Sequence, residues 1–283
     1  MNPTLNAARG GLSRGWIEFL ATFRNLQELL FGYLLIPAVF LAMALYFFDG
    51  DVEGLGMGAV HMVAGIALMI AMLGVSSVAQ VLATEREDGT LLRSRAVPYG
   101  MVEYAVGKTV HVFLISLISL ALMVIPAVLL VDGIALQGAF GLFTLLWVCV
   151  LGLLSLAPLG ALLGSLINNP KSGPAAAMLP MLALLVISGL YFPLEYLLGW
   201  LQVIALVFPL YWIGEGLRAA LLPSEFTEAG LFGAPELALA AGVLTLWAVL
   251  GFLVAQRVLR RMARRESGSR VQAARERAMK RVY

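Results

Sequence analysis

Between two apolar runs, each long enough to cross the roughly 30 Å hydrocarbon layer of a bilayer, the chain carries a compact polar island, Thr84 to Pro98, reading TEREDGTLLRSRAVP. Six of its fifteen residues are charged: Glu85, Arg86, Glu87, Asp88, Arg93 and Arg95. Charges at that density cannot rest in hydrocarbon, so the island sits at a membrane face while the runs on either side cross. Thr84 followed by Glu87 fits a capping box, in which two side chains satisfy the free amides of a helix start. The pattern predicts a short surface helix within 85–97, stopped near Pro98 and Gly100; Gly89 permits the alternative of a start at Thr90.

Hydrophobic residues make up 61% of the 283 and charged ones 13%, about half the ~25% of a soluble domain. No hydrophilic block is long enough to build a separate core. The chain therefore reads as one all-α integral membrane protein: an N-terminal segment over 1–30, a membrane domain over 31–256 and a basic tail over 257–283. The first apolar run lacks the short core and small-residue cleavage site of a secretory signal, so the N-terminus is expected to be retained. Cys149, the single cysteine, lies in an apolar run and reads as a packing residue.

Residues 12–30 space Leu12, Trp16, Leu20, Phe23, Leu26 and Leu30 three or four apart, with Arg14, Glu18, Arg24 and Glu28 between them, the pattern of an amphipathic helix lying along the interface. The alternative is the wet start of the first span. Spans are expected over about 31–48, 55–82, 109–131, 139–167, 174–189 and 236–256. The stretch Leu197 to Phe208 is too short to cross, is interrupted by Gly199 and Gln202, and is closed by Pro209; it reads as re-entrant or interfacial. Seven of the chain's 27 aromatic residues fall within the 22 residues from Tyr191 to Trp212, as an interfacial belt requires.

Lysine and arginine set the orientation. Of the 19, three precede the first span, four lie in 83–108, one in the turn 168–173 and ten after residue 256, leaving Arg218 alone on the other side. The positive-inside rule makes both termini and the polar island cytoplasmic. A crossing by 197–212 would put the ten basic residues of the tail outside, so six spans fit and seven do not.

Few residues could carry chemistry. Gly107-Lys108-Thr109 ends like a phosphate loop, but the glycine required five residues earlier is Val102, so Lys108 reads as reaching to the headgroups and ATP is not expected to bind this chain. His61 and His111 fall near opposite faces and cannot share a metal. No acidic residue lies deep in the six spans, which removes the usual relay of an ion-coupled transporter, and no clustered nucleophile or acid/base pair suggests an intramembrane enzyme. Glu195 and Glu215 sit in the re-entrant region, where a carboxylate faces water, a partner or a substrate. Gly160 and Gly164 form a small-residue pair of the kind that lets helices approach closely. The tail, with ten basic and two acidic residues, suits anionic headgroups rather than nucleic acid.

Glu85-Arg86-Glu87 with Gly89-Thr90-Leu91 after the second span, then Pro98, together with Phe192-Pro193, Pro209 and Gly216-Leu217-Arg218 before the last, resemble the permease subunits of the second ABC exporter family, the drug and polysaccharide exporters. The likeness covers about residues 10–256. It implies that Glu85, Arg86, Glu87, Gly89, Thr90 and Leu91 form a coupling helix contacting a separate ATPase, and that re-entrant helices carrying Phe192, Pro193, Glu195, Pro209, Glu215 and Arg218 form an outer gate. It also implies two ATP-binding subunits holding ATP and magnesium, and a second permease chain. Leu91-Leu92-Arg93 lacks the acidic residue that often follows the family's Gly-Thr-Leu, and the basic tail lies outside the pattern.

Overall fold

The computed structural model describes residues 3–46, 51–52, 55–80, 82, 97–166, 173–191, 194–223 and 236–265. The expected coupling helix with Glu85, Arg86, Glu87, Gly89, Thr90 and Leu91 lies outside these residues, as do Phe192, Pro193 and the tail beyond Arg265. What is described is helical apart from loops and one two-residue pairing, β1 (Asp51–Val52) with β2 (Leu55–Gly56), Asp51 opposite Gly56.

The first helix, α1, covers Pro3–Thr22. A helical turn (Leu26–Glu28) and a π-helical stretch (Leu29–Leu34) lead into α2 (Leu35–Tyr46). Helix α3 (Met57–Ala71) continues through a second π-helical stretch, Met72–Ser77. Then come α4 (Gly100–Leu130), α5 (Gly138–Leu166) and α6 (Gly173–Ile187). A 3-10 turn, Leu194–Tyr196, precedes α7 (Gly199–Val207) and α8 (Pro209–Leu221), and α9 (Leu237–Arg265) closes the described chain.

Several boundaries differ from expectation, among them the start of α1 at Pro3 rather than 12 and the end of α9 at Arg265 rather than 256. The N-terminal helix expected over 12–30 ends at Thr22, because the chain turns at 23–25 while its apolar spacing runs on through the turn. Span three was expected from Thr109, but α4 begins at Gly100: nothing between them breaks a helix, and Pro98 with Tyr99, held at φ 58°, sets the start. At 1.5 Å per residue α4 is about 46 Å long, about 16 Å more than hydrocarbon requires. Its first turns extend past the membrane, and α1 packs along them.

Five helical stretches are long and apolar enough to cross: Leu29–Tyr46, Met57–Gln80, Val102–Leu130, Gly138–Leu166 and Leu237–Ala255. Contacts orient them. Gly152 packs on Ile70, Gly74 on Leu156, Gly160 on the backbone of Gly74 and Val75, and Gly164 on Ala79, so α3 with its continuation runs parallel to α5 and both start at one face. That face also holds the end of α6, since the Gly189 carbonyl accepts from Arg218 Nη1 (3.2 Å) and the Tyr191 ring lies 5.6 Å from His61. Because α5 ends at the opposite face, α6 carries the chain back, although its 15 residues rise only about 22 Å. Helices α7 and α8, bent 79° to one another, then leave that face and return to it, the amides of Ala135 and Gln137 before α5 donating to the carbonyls of Leu221 and Ala220. Five stretches among the described residues thus cross by length and composition, and α6, shorter than the hydrocarbon layer, is a further passage between the two faces.

The core is one contiguous cluster centred on α3 and α8, both buried along most of their length. One close seam sets the continuation of α3 against α5, where a Cβ on Gly160 would lie 2.5 Å from the Val75 carbonyl oxygen and one on Gly164 2.9 Å from Ala79. The obstacle is backbone, which cannot swing aside as a side chain can. Gly160→Leu is expected to lower stability by about 1–3 kcal/mol, the usual cost of overpacking, read as a fall in unfolding midpoint in detergent; an unchanged midpoint would contradict this packing.

Candidate functional site

The bent pair is built around Phe208-Pro209. Proline lacks an amide hydrogen and pushes the preceding residue out of the helical region, and Phe208 accordingly sits extended at φ −87°, ψ 149°. Pro209 in turn suits the first position of α8. A break leaves the last carbonyls of α7 without helical partners, and in a chain that crosses a membrane that is costly. Two indoles meet this need: Trp212 Nε1 donates to the Leu206 carbonyl at 2.8 Å, and Trp247 Nε1, from α9, donates to Val207 at 2.7 Å. Twelve of the thirteen residues of α8 are buried.

Among them is Glu215, 3% exposed. Its Oε1 accepts from Arg218 Nη2 at 2.5 Å, one helical turn on. Arg218 also holds the Gly189 carbonyl, where the chain leaves α6 at φ 72°, a backbone setting that suits glycine. Glu215 is thus buried against a cation of its own helix rather than open to water. Pro209, Glu215 and Arg218 share α8, whereas Glu195 is exposed in the 3-10 turn before α7. On α7, Trp200, Val203 and Val207 follow exposed Tyr196 at helical spacing and form an uncovered apolar stripe.

At the opposite face α1 is locked onto the start of α4. A Cβ on Gly11 would meet the Glu103 carbonyl oxygen at 2.6 Å, and one on Gly15 the Gly107 carbonyl oxygen at 2.5 Å. Gly11, Gly15, Phe19 and Thr22 form the buried face of α1. Leu12, Trp16, Leu20 and Phe23 form an exposed apolar stripe beside it, the face an interfacial helix turns to lipid. Lys108 was expected to reach for headgroups; instead its Nζ lies 2.8 Å from Glu18 Oε2, while Arg14 Nε holds Oε1 at 2.9 Å. Burial works against the Glu18 charge, but the hydrogen bonds from Lys108 and Arg14 outweigh it and bring the pKa below the ordinary 4.5.

Sequence reasoning passed over Gly11, Gly15, Glu18, Trp212 and Trp247 as working residues. A signal existed for the glycines, whose four-residue spacing matches that of Gly160 and Gly164. His61 bonds the Met57 carbonyl through Nδ1 (2.8 Å), and among the described residues no group of three or more His, Cys, Asp or Glu could hold a metal.

The family model described as "ABC-2 family transporter protein" matches residues 54–256, more than two thirds of the chain. No curated protein matches it.

Two outcomes follow from this geometry. Arg218→Met strands a buried carboxylate and is expected to cost about 3–5 kcal/mol, whereas the Glu215→Gln/Arg218→Met pair costs less; thermal unfolding of the three proteins checks the order. The lowered pKa of Glu18 means that its contribution to α1 docking is complete above pH 4.5 and is lost as pH falls through the lowered value. Spin labels on α1 and α4 should therefore hold their separation from neutral pH down to about pH 5 and part only at lower pH; parting near neutral pH would contradict the clamp.

Proposed function

Because the chain belongs to the ABC-2 family of transporter proteins, we propose that its six crossings form half of an export route driven by a separate ATPase. The chain is a multi-pass membrane permease. In this reading it lies in the cytoplasmic membrane with α1, the polar island and the tail inside. The charge count supports that orientation, since eighteen of nineteen lysines and arginines fall to one side. ATP and magnesium belong to the partner, and this chain performs no hydrolysis.

The observation that carries the reading is the continuity of α4. The polar island joins it through Val97–Tyr99, so a partner docked at Glu85 to Leu91 would act directly on one end of a 31-residue helix. Transmission further requires that the partner contact the island differently in each state, and a charged surface segment supports such contacts. Two ATP-binding subunits and two permease chains complete the assembly in this reading. The uncovered stripe Tyr196, Trp200, Val203 and Val207 supports a second copy, or a related permease, meeting this one at the outer side, where the bent pair would act as a gate.

Glu85→Lys together with Glu87→Lys is expected to leave insertion and ATP hydrolysis intact while abolishing ATP-dependent export from reconstituted vesicles. Undiminished export by the double variant would overturn the coupling role. Modification of a cysteine at position 270 by an impermeant reagent from outside, in a chain with Cys149 replaced, would overturn the orientation.

A further inference from the structure

A cavity of about 200 Å³ lies within one chain, between α4 on one side and the continuation of α3, α5 and the end of α9 on the other. One face of α4 forms a wall: Ala105, Thr109, Val112 and Ser116 recur three or four residues apart and all line it. Ala105 and Thr109 are exposed, so the cavity opens there, and Ser116 lies seven residues of helix, about 10 Å, further in. Opposite, Ala157 and Ala161 of α5 keep open a space that larger side chains would close. Apart from Tyr104, Lys108 and Thr109 toward the start of α4, Ser116 is the one polar side chain among the described residues that line the cavity. It is 1% exposed, and its Oγ has no hydrogen-bond partner among the described residues.

Charge, size and one hydroxyl together define what fits. Lys108 reaches the lining, but its Nζ is held by Glu18, whose other oxygen holds Arg14; with Glu103 five residues earlier on α4, two carboxylates balance two cations. That balance rewards neither sign of charge in a ligand, and the apolar lining penalises both. A cavity of about 150 Å³ in a protein core takes up benzene, so this one admits a ligand of about nine non-hydrogen atoms. The rings of Tyr104, Phe113 and Phe252 in the lining favour an aromatic one. A buried hydroxyl left unpaired is unfavourable. A water molecule at Ser116 would need two to four polar partners, whereas a ligand N–H or O–H can donate to its Oγ alone. We propose that the chamber binds a neutral aromatic compound of this size with one N–H or O–H, of which indole is the type, its donor on Ser116. The chamber belongs to one chain, so the proposal rests neither on the export reading nor on a second copy.

The test uses the purified full chain in uncharged phosphatidylcholine nanodiscs, with an azidoindole as photolabel and competitors compared at equal concentration in the bilayer. Adducts are expected on α4 and α5 around Ser116 and Ala157. Ala157→Phe should abolish them, and so should Ala105→Trp, made at an exposed position of the wall. Leu129→Trp, exposed outside the chamber, should change nothing. Adducts spread over the lipid-facing surface, or indifferent to both filling variants, would overturn the site and leave the space to bilayer acyl chains. Indole should displace the label about fivefold better than indene, the isosteric hydrocarbon without an N–H, which is the size of one neutral hydrogen bond. Ser116→Ala should remove that preference, whereas a serine that only supports the fold would leave it. Equal displacement by the two in the unaltered protein, or a preference that survives Ser116→Ala, would overturn the pairing. Benzamide should displace the label at least about tenfold better than benzoate, its charged isostere; a smaller difference would overturn the neutral class. In the ligand-free protein Ser116→Ala should not lower the unfolding midpoint, since no bond is lost; a fall would show that the hydroxyl is already paired and overturn the proposal.

Discussion

A backbone carbonyl inside hydrocarbon must find a donor, and at Phe208-Pro209 this requirement organises the half of the molecule that holds α7 and α8. Breaking a helix there is tolerable because the indoles of Trp212 and Trp247 reach the carbonyls of Leu206 and Val207. The second of these comes from α9, so the bend is fastened to the last crossing as well as to its own helix. Once α8 is fixed inside the core, any charge it carries is buried with it. Arg218 meets that condition for Glu215 and, through the Gly189 carbonyl, ties the return of the re-entrant segment to the place where it left.

The half that holds α1 depends on a different device, close helix approach at glycine. Where α1 meets α4, Gly11 and Gly15 lie against the carbonyl oxygens of Glu103 and Gly107 with the Val106 and Val110 side chains beside them, and where the continuation of α3 meets α5, Gly160 and Gly164 lie against backbone alone. Association in lipid has little hydrophobic drive, so close packing of this kind carries much of the stability. Both glycine pairs have four-residue spacing. One was visible as a weak signal in the sequence; the other lies in a segment whose hydrophobic stripe drew attention to the opposite residues.

Hydropathy made the crossings legible because it sums over some twenty residues and tolerates local error. The expectation of an even count rested on the one-sided distribution of lysine and arginine, a property of the whole chain. What the sequence concealed was pairing. Lys108 and Glu18 are ninety residues apart and meet only because α1 folds back along α4. Trp247 and Val207 are forty apart. Glu215 and Arg218 are three apart and could have been matched on a helix face, but reading each charge separately against the membrane left Glu215 open to water, a partner or a substrate. Helix ends failed for a local reason: the stripe from Leu12 to Leu30 keeps its period through a turn that three backbone-bonded residues make.

These features together constrain how α4 could move. It is continuous for 31 residues, begins at a tyrosine held in the left-handed region, and is gripped near that start by α1. Non-glycine residues in that region carry strain that the surrounding fold must support, which makes Tyr99 the natural place for the chain to flex between polar island and helix. The exposed stripe of α1 ties it to the interfacial layer, since withdrawing Trp16 and its neighbours from lipid would expose them to water. If the island couples to an ATPase as proposed, a pull on it would therefore not draw α4 straight out of the membrane. It would tilt α4 about the level where α1 holds it, moving Leu130 at the far end in the opposite direction. That end leads through residues 131–137 to the hydrogen bonds that anchor α8, so a tilt on one face would bear on the bent pair at the other.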